Sequence, residues 1–198
     1  VAWNDDHATD RDKGGERPAE MSALDWSIGA IGEVTERLAK VRGWDLARVF
    51  GAVSEAVWWV TIVDATLVRY YPDVYDAVLD GQSAQERRLV EDTLSGLRFV
   101  RNQIGTGRVD FVRPRLDRGG LEPAEADILT WTWISMPKPS LTGLLPRGRS
   151  WEMRRYRAYQ AQLADHTIGE TFGRAAGFLR EAAAQTVPAA EISPQPAP

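Results

Sequence analysis

Cysteine is absent from this chain of 198 residues, which removes disulfides, thiolate metal sites and cysteine nucleophiles together and fits a reducing, cytoplasmic setting. Histidine is scarce, with only His7 and His166, so little is left for metal or acid-base chemistry, and no metal or cofactor is expected. Long apolar runs are lacking too. The longest, Val57-Trp58-Trp59-Val60-Thr61-Ile62-Val63, stops at Asp64. That is well short of the roughly 20 apolar residues of a bilayer span, and no membrane partner is expected. The first 20 residues carry charges where a secretion signal would carry an apolar stretch. The nucleophile motif Gly-x-Ser-x-Gly is missing. Gly105-Thr106-Gly107-Arg108 lacks the Lys-Ser/Thr of a phosphate loop and reads as a helix terminator. His166 and Glu170 have the spacing of two ligands on one helix face, but no second such pair exists, and they read as surface.

What is present is a balance of 43% hydrophobic and 26% charged residues, that of one globular domain with a sizeable core. Residues 1–20 and 187–198 have no hydrophobic periodicity and read as disordered tails around a single domain over 21–186. A first helix starts from Ser22 as N-cap and stops at Gly43, with Leu24, Ile28, Ile31, Leu38 and Val41 as its apolar stripe. Gly29 and Gly32 weaken it, and close approach of a neighbouring backbone is the expected compensation. A second helix from Asp45 to about Tyr71 is apolar around much of its circumference and should be central. Its Trp58 and Trp59 point about 100° apart, so at least one faces a second packing layer or an exposed interface. A short helix spans Asp73 to Leu79. The next opens at the capping box Ser83-Ala84-Gln85-Glu86 and ends at the glycines 105 and 107.

From 108 to 149 the periodicity disappears among five prolines, and an irregular excursion is expected. Within it Ile128 to Ile134 could form a short extended segment with Trp131 and Trp133 on one side. Two helices follow, one capped by Ser150 and one opened by the capping box Thr167-Ile168-Gly169-Glu170. The expected fold is therefore all-α, a bundle of about five helices with a long excursion before the last two.

Arg101 falls on the stripe formed by Leu94, Leu97 and Ile104, where an apolar side chain would be expected, and Asp64 interrupts the second helix in the same way. One explanation is a buried ion pair between the two. The other comes from the helix ending LRFVRNQIGTG. With the helices before it, over roughly residues 22–107, it resembles the HEPN family of helical domains found in prokaryotic ribonucleases and nucleotidyltransferase partners. The resemblance implies an Arg-Asn pair, here Arg101 and Asn102, followed after four to six positions by a histidine that completes a metal-independent RNA-cleaving site across a dimer. This chain has Thr106, Gly107 and Arg108 in that window instead, so the group expected to move the proton is missing. The C-terminal stretch YRAYQAQLADHTIGETFGRAAGFL resembles actinobacterial proteins of uncharacterised function.

Two arginine-rich segments stand out in a chain of net charge -4. One holds Arg98, Arg101, Arg108, Arg113, Arg115 and Arg118, the other Arg147, Arg149, Arg154, Arg155 and Arg157. Arginine favours bidentate contact with phosphate. If the segments converge, Arg98, Arg101, Arg108, Arg113, Arg115, Arg147, Arg149, Arg154 and Arg155 form a nucleic-acid face, with Trp131, Trp133 or Tyr156 for stacking. If they do not, they are a solvated surface paired with acids from elsewhere. The expectation is a cytoplasmic, non-catalytic HEPN-like bundle that binds RNA or another protein. The competing reading is a homodimeric structural or interaction module without nucleic acid, and an enzyme of unrelated type is third.

Overall fold

The computed structural model describes residues 23–40, 45–108, 110–117 and 128–186. Both expected tails, Ser22, Val41, Gly43 and Arg118 lie outside the described residues. The elements are α1 (Ala23–Lys40), α2 (Leu46–Tyr70), α3 (Pro72–Asp80), α4 (Ala84–Gly105), β1 (Val112–Asp117), β2 (Ile128–Trp133), α5 (Pro146–Gln162) and α6 (Ile168–Ala184). The described residues form a helical bundle with one small two-stranded sheet.

Helix boundaries follow local chemistry. Asp45 caps α2 by accepting the Arg48 backbone N–H at 3.1 Å. Pro72 opens α3, where its fixed φ suits a first turn and its missing N–H costs nothing. Ser83 with Glu86, and Thr167 with Glu170, form the two capping boxes read from the sequence. Helix α4 ends at Gly105, and Gly107 takes a φ of +86° that disfavours any side chain. Helix α5 starts earlier than expected. Its first residue is Pro146 with Leu145 as N-cap, so Ser150 lies inside it.

Helix α2 occupies the centre, packed on α1, α3, α4 and α6. Val49, Val53, Ala56, Val57, Val60, Val63 and Leu67 are all fully buried. Its length and hydropathy would suit a membrane span. With that face covered by other helices and Asp64 buried within it, it has the character of a core helix. Trp59 stacks edge-on against Trp26 of α1 at 4.9 Å, whereas Trp58 is half exposed.

The tightest helix contact is between α4 and α5. A Cβ on Gly96 would lie 2.8 Å from Leu163 Cδ1 and 3.2 Å from Tyr159 Cα, so only glycine lets the two helices meet there. This corrects the reading of Gly29 and Gly32. Nothing lies within 4 Å of a Cβ at Gly29, and only the Arg180 guanidinium approaches Gly32. Those glycines are not needed for a close backbone approach.

The stretch 108–149 is not irregular throughout. Strands β1 and β2 pair antiparallel, with Val112 opposite Trp133 and Pro114 opposite Trp131. A two-stranded sheet has only edges, which is why Pro114 is tolerated. Trp131 and Trp133 share one side, as their spacing predicts, and both are buried. The Trp133 indole N–H donates to Thr171 Oγ1 at 2.9 Å, and Phe111, Tyr159 and Phe172 surround its ring. The α5–α6 turn fastens the hairpin from the other side. The Trp133 N–H donates to the His166 carbonyl at 3.0 Å, and the Asp165 N–H to the Trp133 carbonyl at 2.9 Å.

Candidate functional site

Helices α4 and α5 run antiparallel, and two contacts fix their register: Gly96 against Tyr159, and Asn102 Nδ2 donating to Glu152 Oε2 at 2.9 Å. Between these two points α4 presents Arg98 and Arg101, and α5 presents Arg155. Three guanidinium groups from two basic segments of the sequence thereby share one end of the helix pair.

Each has a different environment. Asp64, fully buried on α2, accepts a hydrogen bond from the Tyr75 hydroxyl at 2.9 Å and one from Arg98 Nε at 2.6 Å, and a second Arg98 nitrogen completes the ion pair. The expected partner of Asp64 was Arg101. Arg98, almost one turn earlier on α4, takes that place and explains the buried carboxylate. Burial, and then the Asp64 charge, push the Tyr75 phenol well above its ordinary range.

Arg101 is left free of Asp64. Its guanidinium lies over the Trp58 ring, 4.5 Å from the centroid, and Trp58 is 51% exposed. Among the described residues no carboxylate lies within ion-pair reach of Arg101 or Arg155. Arg155 is held below the ordinary guanidinium range, first by burial and then by the Arg98 charge, with Glu152 opposing and Arg101 adding to the depression. Two carboxylates, Asp64 and Glu152, face three cations, so the cluster keeps one positive charge in excess. Such an arrangement can take an anion from solvent without first breaking the buried pair.

The other described arginines of the two segments have different surroundings. Arg113 pairs with Asp165 at 2.7 Å and Arg108 with Asp110 at 3.1 Å. Arg115 is exposed on β1. Arg147, Arg149 and Arg154 are exposed along the start of α5, with Arg149 Nε donating to the Leu144 carbonyl at 2.8 Å. Arg98, Arg101 and Arg155 are thus close enough to influence one another's charge, while Arg108 and Arg113 are each engaged by a carboxylate.

The stacking assignments of Trp131 and Trp133 are corrected. Trp131 and Trp133 are core residues under the hairpin and cannot meet a base. Tyr156 is half buried, and its hydroxyl donates to the Met136 carbonyl at 3.3 Å. The exposed aromatic of this site is Trp58, whose pairing with an arginine 43 positions further along leaves no local signal in the sequence. Tyr75 and Glu152 carried no signal either. Asp64 did, as the one charge ending an apolar run. Glu170 is occupied in capping its own helix, and His166 is exposed.

Asn102 stands beside Arg101 in the last turn of α4 but is bound to Glu152. The following positions, Thr106 and Gly107, form the helix terminator, and Arg108 pairs with Asp110. Comparison with family models, with curated proteins and with solved structures finds no match for this chain.

Proposed function

We propose that this chain is a non-catalytic, HEPN-like RNA-binding protein of the cytoplasm, and that its RNA contact is the end of the α4–α5 pair carrying Arg98, Arg101 and Arg155. The observation that carries the reading is the placement of Arg101, over half-exposed Trp58 and with no carboxylate within ion-pair reach among the described residues. A guanidinium lying over an indole ring still has N–H donors for a phosphate, and the half-exposed indole offers a planar surface for a base. Arg98 is oriented by Asp64 and Arg101 lies over Trp58, so both are positioned before a ligand arrives. Ordering two long side chains is a cost that binding would otherwise carry. Catalysis is left out of the proposal because the family's proton-moving histidine is replaced by Thr106, Gly107 and Arg108.

Gel retardation of RNA at low salt tests this. Arg101→Ala should weaken retardation by about tenfold, the order of one bidentate contact to a charged group. Arg113→Ala should leave it nearly unchanged, since Arg113 is engaged by Asp165. No retardation of the unaltered chain at low salt would remove the reading.

One observation favours the second reading, a homo-oligomeric interaction module. Leu46, Trp58, Val68 and Tyr70 of α2 and Trp26 of α1 are each 45% exposed or more, a quantity of apolar surface that association would cover. Light scattering that finds only a monomer at high concentration would set this reading aside.

A further inference from the structure

A different surface, at the entrance of α5, combines exposed apolar side chains with cations that have no ion pair among the described residues. Between Asp127 and Glu152 there are 24 residues, 128–151, without a single Asp or Glu, and they include Lys138, Arg147 and Arg149. Near the end of this stretch the chain turns at Gly143, with φ +81°, and presents Leu144 and Leu145 to solvent at 38% and 79% exposure. Leu145 is the most exposed of the large hydrophobic side chains among the described residues. Trp151, 47% exposed, follows on α5, and Arg147 and Arg154 flank it at helical spacings of four and three. Among the described residues no carboxylate lies within ion-pair reach of Lys138, Arg147, Arg149 or Arg154.

The backbone of this tip is also unusually complete. The Leu144 N–H donates to the Leu141 carbonyl at 3.3 Å, and Arg149 supplies both partners on the acceptor side. Its Nε donates to the Leu144 carbonyl at 2.8 Å and its backbone N–H to the Leu145 carbonyl at 2.9 Å. Pro146 has no N–H to satisfy. Three of the four backbone polar groups of the two leucines are therefore already bonded. Satisfied backbone groups are what a loop needs to enter a medium without water. They are irrelevant to contact with RNA, and neither do aliphatic tips gain from phosphates or bases.

We propose that the α5 entrance docks on the surface of a bilayer containing anionic phospholipid. Leu144 and Leu145 enter the boundary of the acyl layer, Arg147, Arg149 and Arg154 meet headgroup phosphates, and Trp151 lies at the interface where indole rings collect. The expectation of no membrane partner rested on the lack of a spanning run, and a surface-docked chain needs none. The inference does not depend on RNA binding, which uses Arg98, Arg101 and Arg155.

Co-sedimentation of the full chain with vesicles tests it, using phosphatidylcholine alone and phosphatidylcholine mixed with phosphatidylserine. The account expects binding to the mixed vesicles only, falling with salt. Arg147→Gln with Arg154→Gln should weaken binding about 25-fold, at roughly fivefold for each cation near the surface. Leu144→Ser with Leu145→Ser should weaken it by at least about tenfold, and because both side chains face solvent the variant should melt like the parent. Equal binding of the leucine variant and the parent would overturn the proposal, as would no sedimentation with mixed vesicles at low salt. Loss of RNA retardation in the Arg147/Arg154 variant without any vesicle binding would assign these cations to RNA and overturn it as well.

Discussion

Removing the buried carboxylate tests the assignment of Arg98, rather than Arg101, as its partner. In Asp64→Ala the Tyr75 hydroxyl, buried between α2 and α3, loses the acceptor it holds at 2.9 Å. An unsatisfied buried donor costs about 1–3 kcal/mol. Arg98 loses its ion pair, but its side chain is 33% exposed and can turn into water, so its share falls well below the 3–5 kcal/mol typical of a broken buried pair. A loss of about 3 kcal/mol is expected, or roughly 6–12 °C in Tm at about 2–4 °C per kcal/mol. Arg98→Ala should cost more, because it strands a carboxylate that is 1% exposed and cannot reach solvent. Arg101→Ala should cost less than about 1 kcal/mol, the order of one exposed cation–π contact. Urea denaturation followed by circular dichroism gives all three values. An Asp64→Ala loss below about 0.5 kcal/mol, or an Arg101→Ala loss as large as that of Arg98→Ala, would refute the assignment.

Further outcomes follow from the packing and the caps. Gly96→Ala should destabilise by about 1–3 kcal/mol because its Cβ would sit 2.8 Å from Leu163 Cδ1 and close to the Tyr159 backbone, while Gly29→Ala should stabilise by up to about 1 kcal/mol, nothing lying within 4 Å; thermal melts compare them. Thr167→Ala should cost about 1 kcal/mol. Hydrogen bonds from Thr167 hold the Glu170 carboxyl below the ordinary carboxylate range, so Glu170's part of that stability is present above this range and is lost as the pH falls through it, which denaturation across acid pH would detect. Burial raises the Tyr75 phenol, with Asp64 adding to it. Its contribution is therefore complete below the unfolded tyrosine pKa of about 10 and is lost as the pH rises beyond that, and Tyr75→Phe should flatten the alkaline limb of stability.

Most of the helical frame was legible because its boundaries are written locally. The Ser83 and Thr167 capping boxes and Gly107 act within one turn of themselves, and the structure keeps them all. The errors came where a residue has two local meanings. Pro146 was read among loop prolines, yet at a first helical turn the same residue starts a helix. Pro114 was one of the five prolines read as punctuating an irregular excursion, and a two-stranded sheet with only edge positions accepts it. The glycines were misassigned for a related reason: what Gly96 permits lies on α5, 63 residues away at Tyr159.

The site was legible in its residue types but not in its pairings. Arg98 and Arg101 lie three positions apart on one helix, and periodicity alone does not say which reaches Asp64 on α2. That choice depends on how α2 and α4 are set against each other, which is long-range information. The aromatic partner shows the same limit. Trp131 and Trp133 were conspicuous in the sequence and are core, whereas Trp58 was one of an adjacent pair divided between α1 packing and Arg101.

The salt dependence of RNA affinity, compared between the unaltered chain and an Arg101→Ala, Arg155→Ala double variant, bears most directly on the proposed face. Each phosphate contact removed lowers the slope of log affinity against log salt by about 0.7 for a single strand. The account predicts a loss of about 1.4 in slope, weaker binding at every salt concentration, and an unchanged melting profile within about 1 kcal/mol. An identical slope and affinity in the double variant would contradict it, and would place whatever RNA contact exists on other residues.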